Sequence, residues 1–227
     1  MRKPVRGADK AVVLLSGGLD SATTLYYAGS KGYDCECLIF DYGQRHSKEV
    51  ESAKRIARLR GAPFRIVKFR MPWKGSALLD KNMAVPKGRR IGERIPSTYV
   101  PSRNTIFLSF GVSFAEVIGA SAVFIGANAI DYSGYPDCRP RHFRIFNELV
   151  KSGTKAGVEK KKIKVLAPLV DMTKADIIKL GKKLGVPFRQ TWSCYSGNRR
   201  PCLKCDSCVI RARGFKEAKV TDPLTTA

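Results

Sequence analysis

Residues 11–21 read Ala-Val-Val-Leu-Leu-Ser-Gly-Gly-Leu-Asp-Ser. Five apolar residues predict a buried strand, Ser-Gly-Gly a tight turn, and Leu-Asp-Ser the first turn of a helix. A strand that ends in glycines and feeds a helix is how an α/β protein builds an anion site. Glycine lets the backbone bend and approach a ligand, and the N–H groups of a first helical turn have no partner inside the helix. Ser16 adds a hydroxyl, and Asp20 stands where a carboxylate can hold the magnesium of a polyphosphate. An ordinary strand–turn–helix corner would use the same residue types, so other parts of the chain have to decide.

Outward from this stretch, apolar runs alternate with amphipathic ones. Strands are expected at 11–15, 35–40, 64–69, 122–126 and 163–166, and helices at 20–30, 47–60, 103–118, 140–152 and 173–184. That alternation predicts an α/β fold, a mostly parallel five-stranded sheet with helices on both faces and functional loops at the strands' carboxyl ends. A length of 227 residues suits a single domain. The interval 70–102, with four prolines at 72, 86, 96 and 101, reads as a lid or binding loop or else as a partly disordered stretch. Residues 107–130 carry one charge, Glu116, and are long enough to span a bilayer. The break near Gly119 and the β-rich second half make a buried helix followed by a buried strand the better reading. With Met1–Lys10 polar, no secretory signal is read, and a soluble cytoplasmic protein is expected.

Lysine and arginine outnumber acidic residues 42 to 19, a formal charge of +23, which favours an anionic partner such as a nucleotide, an acidic small molecule or a nucleic acid. The basic residues are spread along the chain. Several sit where a ligand would explain them. Arg103 and Lys174 begin predicted helices, where the macrodipole disfavours positive charge unless an anion is near. Asp41 ends the second strand beside the glycine turn, where it could simply pair with Arg45, and Ser47 can cap the following helix. Ser102 or Asn104 can cap the helix from 103. Thr173 and Asp176 have capping-box spacing. After the fourth strand comes a polar, aromatic loop. There Tyr132 and Tyr135 can stack on a planar ring, and Asp131 and Asp137 can accept its N–H groups.

Of seven cysteines, Cys35 and Cys37 share one strand face and read as buried apolar residues, and Cys138 stands alone. The others, Cys194, Cys202, Cys205 and Cys208, have the spacing Cys-x7-Cys-x2-Cys-x2-Cys. Four thiolates close a tetrahedral zinc shell and leave no place for water, so such a zinc is structural; an iron–sulfur cluster is the chemical competitor. Either would pin a C-terminal segment, 191–214, that has too few apolar residues to fold alone.

Taken together these blocks resemble a known family. Ser16-Gly-Gly-Leu-Asp-Ser21 is similar to the pyrophosphate loop of the N-type ATP pyrophosphatases, with their adenine nucleotide alpha hydrolase-like, Rossmann-like fold, and there is no Walker A sequence. Asp41-Tyr-Gly-Gln-Arg-His46, Val100-Pro-Ser-Arg-Asn104, Asp131-Tyr-Ser-Gly-Tyr-Pro-Asp-Cys-Arg139 and the cysteine cluster resemble the 7-cyano-7-deazaguanine synthase family. The resemblance implies an enzyme of queuosine or archaeosine biosynthesis that converts 7-carboxy-7-deazaguanine, ammonia and ATP to the nitrile, AMP and diphosphate through an adenylated carboxylate and an adenylated amide. It implies ATP binding by Leu15, Ser16, Gly17, Gly18, Leu19, Asp20, Ser21, Ala22, Thr23 and Thr24, with Asp20 nearest Mg2+ and Arg103 and Lys174 on the phosphates. Tyr135, Asp137 and Arg139 are the candidates for the deazaguanine end, and Cys194, Cys202, Cys205 and Cys208 for one structural Zn2+. A homodimer is implied, with no membrane and no direct nucleic-acid contact.

Two departures stand out: Arg141-His142 where the family usually has an acidic residue, and Leu203 where glycine is usual. Two other readings keep some of the features. A tRNA thiolase of the same superfamily would use a reactive cysteine such as Cys138 and an added RNA-binding region. A zinc-stapled nucleic-acid-binding protein would show salt-dependent affinity and release no AMP.

Overall fold

The first expected strand is Lys10–Leu14 (β1), and it lies at the centre of the sheet. The computed structural model describes residues 8–45, 47–80, 82–86, 95–128, 134–196 and 200–225; His46, Asp131 and Tyr132 lie outside them. β2 is Asp34–Asp41, β3 Phe64–Lys68, β4 Ala122–Phe124 and β5 Lys164–Leu166. The order is β3-β2-β1-β4-β5, and every pairing is parallel. Ala11 pairs with Cys35 on one side and Ala122 on the other. A strand flanked on both edges and covered on both faces has to be apolar at every position, which is why 11–15 is unbroken.

Side chains alternate across the sheet. Ala11, Val13, Cys35, Cys37 and Phe124 face one core, and Val12, Leu14, Leu38, Val123 and Val165 the other. On the first face pack α1 (Leu19–Ser30), α2 (Lys48–Arg60), α6 (Lys174–Lys183) and α7 (Asp206–Glu217), through Leu25, Ile56, Ile177 and Phe215. On the second pack α3 (Arg103–Ile118) and α4 (Pro140–Gly153), through Leu108, Phe143 and Phe146. A four-residue helix, α5 (Lys155–Val158), follows α4. The expected helices are all present; α5 and α7 are additions. Residues 107–124 form a helix and a buried strand as expected, but the helix is buried on one face only, through Leu108, Gly111, Val112 and Ala115, with Phe110, Glu116 and Val117 exposed. Among the described residues no helix is long and apolar enough to cross a membrane.

Local chemistry corrects several cap expectations. Ser47 stands at the start of α2 without a side-chain cap, and Ser102, with φ of 52°, leaves α3 uncapped from its own side chain. Instead Asp137 reaches across, its Oδ2 accepting the Asn104 N–H at 2.9 Å. Arg45 does not pair with Asp41. Its Nη1 donates to the carbonyls of Ala77 (3.0 Å) and Met83 (2.9 Å), fastening the described part of the 70–102 excursion to the end of β2. The capping box at α6 forms as expected, Thr173 Oγ1 accepting the Asp176 N–H at 3.2 Å and Asp176 Oδ2 the Thr173 N–H at 3.3 Å. Cys35 and Cys37 are buried on one face, and desolvation pushes the Cys35 thiol up to about 11 and Cys37 higher still, so both stay protonated packing residues.

Candidate active site

Strand order reverses between β1 and β4, and a cavity of about 250 Å³ opens there at the carboxyl ends of the strands. The turn after β1 forms its floor. Gly17 has φ of +84°, and a Cβ on it would lie 2.2 Å from the Glu49 carbonyl oxygen, so both the turn and its approach to α2 require glycine. The Gly17 carbonyl accepts the Ser52 hydroxyl (3.1 Å) and the Trp192 N–H (2.9 Å), which ties the loop to α2 and to the C-terminal segment. Ser16 Oγ and Ser21 Oγ are 3.0 Å apart, and Ser21 Oγ donates to the Gly18 carbonyl at 3.1 Å. The Ala22 N–H is the first to bond within α1, to Gly18, so the N–H groups of Leu19, Asp20 and Ser21 belong to the open first turn.

Of the ten candidate nucleotide residues, Leu15, Ser16, Gly18, Leu19, Asp20 and Ser21 line the cavity. Gly17, Ala22, Thr23 and Thr24 support it from behind. The Thr23 and Thr24 hydroxyls donate to the Leu19 and Asp20 carbonyls at 2.9 Å each.

Both carboxylate oxygens of Asp20 lie 2.7 Å from Lys174 Nζ. The lysine is only 8% exposed, and its stem fits because Gly214 of α7 has no side chain; a Cβ there would meet Lys174 Cγ at 2.4 Å. This partner offsets the positive charge at the start of α6 and sets two opposite charges at the lip of the loop. Across the cavity, Arg103 begins α3, its Nη1 3.4 Å from the Tyr42 hydroxyl. Burial works against its charge, but Tyr42, Tyr135 and Asp137 nearby outweigh that and hold the guanidinium ionised.

The three candidates for the base end separate. Tyr135 lines the cavity, its hydroxyl 3.0 Å from Thr98 Oγ1 and its ring 5.9 Å from that of Tyr99. Asp137 is buried behind the wall on the start of α3, and Arg139 is exposed at the start of α4; neither lines the cavity. Cys138 does line it and accepts from Asn104 Nδ2 at 3.0 Å. His142 packs on Phe143 and Phe146 beside Thr105, so the Arg141-His142 departure lies outside the cavity wall.

Among the wall residues not singled out from the sequence are Glu49, Trp192, Tyr195 and Arg211. Glu49 reads as an ordinary first-turn acid of a helix. Desolvation pushes its carboxyl up to about 7, against a lowering by Arg103. Arg211 grips Asp222 with two bonds of 2.7 and 2.9 Å and donates to Thr191 at 2.7 Å. Nothing in its local sequence announces that pair, since Asp222 lies beyond the end of α7.

The sulfurs of Cys194, Cys202, Cys205 and Cys208 all lie within 4.8 Å of one another. Tetrahedral zinc with about 2.3 Å bonds sets sulfurs about 3.8 Å apart, so the four fit one ion. Backbone N–H groups of Ser196 and Cys202 point at the Cys194 sulfur (3.4 and 3.2 Å), and that of Cys205 at the Cys202 sulfur (3.3 Å), which favours thiolates. Leu203 adopts φ of 58° in the knuckle, the left-handed turn that glycine would enter without strain. α7 begins inside this cluster, with Cys208 on the metal side and Ser207, Ile210 and Arg211 on the cavity wall.

A family model described as queuosine biosynthesis protein QueC matches residues 10–219. The chain is 52% identical over 220 residues to the 7-cyano-7-deazaguanine synthase of Trichodesmium erythraeum, covering 95% of this chain and 99% of that one. It is 53% identical over 233 residues to the protein of the same name from Anaeromyxobacter dehalogenans, covering all of both. Among solved structures it is similar to the NMN synthetase of Francisella tularensis, with a TM-score of 0.51, 17% identity and coverage of 95% of this chain and 74% of that one. That last likeness is one of fold.

Proposed function

The chain belongs to the QueC family of queuosine biosynthesis proteins, and on that premise we propose that it is a 7-cyano-7-deazaguanine synthase, joining 7-carboxy-7-deazaguanine to ammonia and dehydrating the product with ATP. The observation that carries the reading is the convergence, in one cavity, of the Ser16–Ser21 loop, the Asp20–Lys174 pair, Arg103 and Tyr135.

The chemistry asks for positioning and charge stabilisation more than for covalent catalysis. A carboxylate oxygen is a poor leaving group, and transfer to the α-phosphorus of ATP turns it into part of AMP. Ammonia displaces the AMP to give an amide; a second adenylation, of the amide oxygen, lets it depart as the nitrile forms. The open first-turn N–H groups of α1 receive the departing diphosphate, while Lys174 and Arg103 take up phosphoryl charge from opposite walls. Magnesium bound with ATP neutralises charge on the phosphates, and Asp20 is the carboxylate that would meet it. Tyr135 presents a ring face and a hydroxyl to the deazaguanine. Asp137 and Arg139 serve that end from behind, by fixing the start of α3 and the entry to α4.

The four cysteines hold zinc, a filled shell that fastens α7 and with it the Arg211 and Ile210 side of the wall. On the same reading residues 1–227 form one domain with 191–214 as its metal-binding part, acting in the cytoplasm as a homodimer without nucleic acid.

The deciding assay supplies protein, Mg2+, ATP, ammonium and 7-carboxy-7-deazaguanine, followed by mass and nucleotide analysis. The reading requires a product one water lighter than the amide, with AMP and diphosphate. ADP as the nucleotide product overturns it.

A further inference from the structure

Each turnover of the proposed reaction releases protons from nitrogen. One leaves as ammonia becomes amide, and two more as amide becomes nitrile. Some group must receive them beside the reacting carbon. Two carboxylates line the cavity among the described residues, Asp20 and Glu49. Asp20 has both oxygens on Lys174 at 2.7 Å, at the lip of the phosphate loop. Glu49, in the first turn of α2, makes no hydrogen bond or ion pair from its carboxylate among the described residues, although it is half-buried in the wall. A desolvated carboxylate left without a donor is costly unless a ligand supplies one.

Its position says which donor. The Glu49 backbone lies directly against Gly17, where the loop turns, and its side chain is close enough to Arg103 for that charge to be felt, with the neutral Tyr42 phenol nearby. Glu49 therefore stands between the phosphate loop and the guanidinium that faces it, the zone in which the acyl carbon meets the α-phosphate. A fixed negative charge is a poor neighbour for phosphates. A carboxylate that accepts N–H protons and becomes neutral is a good one.

We propose that Glu49 is the proton acceptor for nitrogen in both halves of the reaction, a catalytic residue that rests on the synthase reading above. As the ammonia lone pair forms the C–N bond, one N–H proton passes to Glu49 and the C–O bond to AMP breaks, its electron pair leaving with the phosphate oxygen. Glu49 returns that proton to solvent. In the second half the amide oxygen bonds to the α-phosphorus of a second ATP and diphosphate departs. Glu49 takes one N–H proton as the imidate forms and, once emptied again, the other as the C–O bond breaks and the third C–N bond closes. A carboxyl held up to about 7 by burial is ionised enough at neutral pH to accept and neutral enough to release. The charged and titratable groups around it are Arg103 from α3 and Tyr42 just after β2, with Arg45, Asp20 and Lys174 on the wall of the same cavity, while Lys48, its neighbour on α2, lies over the Trp192 ring.

The test separates the half-reactions. In Glu49→Gln, exchange of labelled diphosphate into ATP that depends on 7-carboxy-7-deazaguanine stays within about 3-fold of wild type. Amide formation and amide-to-nitrile conversion each fall about 100-fold or more. Wild-type kcat, referred to free ammonia, falls on the acid side of neutrality, and the Gln variant lacks that limb. Formate restores part of the rate to Glu49→Ala. If Glu49→Gln converts amide at the wild-type rate, or raises only KM for the carboxylate, the proposal fails and Glu49 is at most a contact to the base. If the variant does not fold, the wild-type profile decides: no acid limb overturns the assignment. If wild-type protein shows no carboxylate-dependent exchange, the synthase reading itself has failed, a result distinct from the others.

Discussion

The Asp137 carboxylate accepts the backbone N–H of Asn104 at 2.9 Å and so binds the loop after β4 to the first turn of α3, beside Arg103. A carboxylate in that position satisfies an orphan N–H and answers the helix dipole. Its consequence for function is indirect: it sets where Arg103 enters the cavity.

Asp137→Ala therefore lowers stability by about 1–2 kcal/mol, the cost of a lost helix cap, and it weakens turnover through a displaced Arg103. Thermal melting in parallel with steady-state kinetics checks this. An unchanged melting temperature would show that the cap contributes nothing.

Lys174→Met leaves Asp20 without its partner and, on the proposed reading, removes a cation from the phosphates. The expected loss in kcat/KM is about 2–4 kcal/mol, on the scale of removing one preorganised transition-state donor. Glu217→Gln, whose residue pairs with exposed Arg213 on α7, is the control and changes kcat/KM by less than about 2-fold.

Metal removal disturbs catalysis at a distance. Chelation, or Cys205→Ser, is expected to lower the melting temperature and to raise KM for ATP together, because α7 joins the knuckle to the wall. Metal analysis of the purified protein should give one zinc per chain. Iron with sulfide would replace zinc by a cluster.

Leu203→Gly relieves a left-handed turn occupied by leucine. It stabilises the metal-bound protein by about 1 kcal/mol, read as a higher melting temperature. The side chain is 59% exposed, so little packing is lost.

Glu49 also predicts a pH effect on stability. Its carboxyl is raised from 4.5 to about 7 in the folded protein, so between these values the folded state holds a proton that the unfolded state has lost. Its contribution is complete below 4.5 and is lost as pH rises through 7. At pH above 7, Glu49→Gln is expected to be more stable than wild type by on the order of 2 kcal/mol. Denaturant melts at acid and mildly alkaline pH measure the crossover.

The sheet and five of its helices were legible because their signals are local: period, glycine turns and the capping box at Thr173 lie within a few residues of what they specify. The glycine turn between β1 and α1 was legible for the same reason. Partners made at long range were not. Nothing near Ser102 shows that its helix is capped by Asp137, and nothing near Arg45 shows that it holds Ala77 rather than Asp41. Glu49 was hidden differently, since an acid in a first helical turn already has a sufficient local explanation. Helix α7 was hidden by its short apolar content, because the cysteines and Gly214 supply much of what fixes it.

The Gly17 carbonyl, held at once by Ser52 and by the Trp192 backbone, bears on how the protein is made. Residue 17 leaves the ribosome well before residue 192, which has Lys174 and the cysteines close to it in sequence. A nascent chain can lay down the sheet strand by strand, but the turn after β1 waits, half-braced, for that later stretch to arrive. The loop's bracing thus depends on synthesis having passed Trp192, and a chain stalled before that residue would fold much of its core with the turn held on one side only.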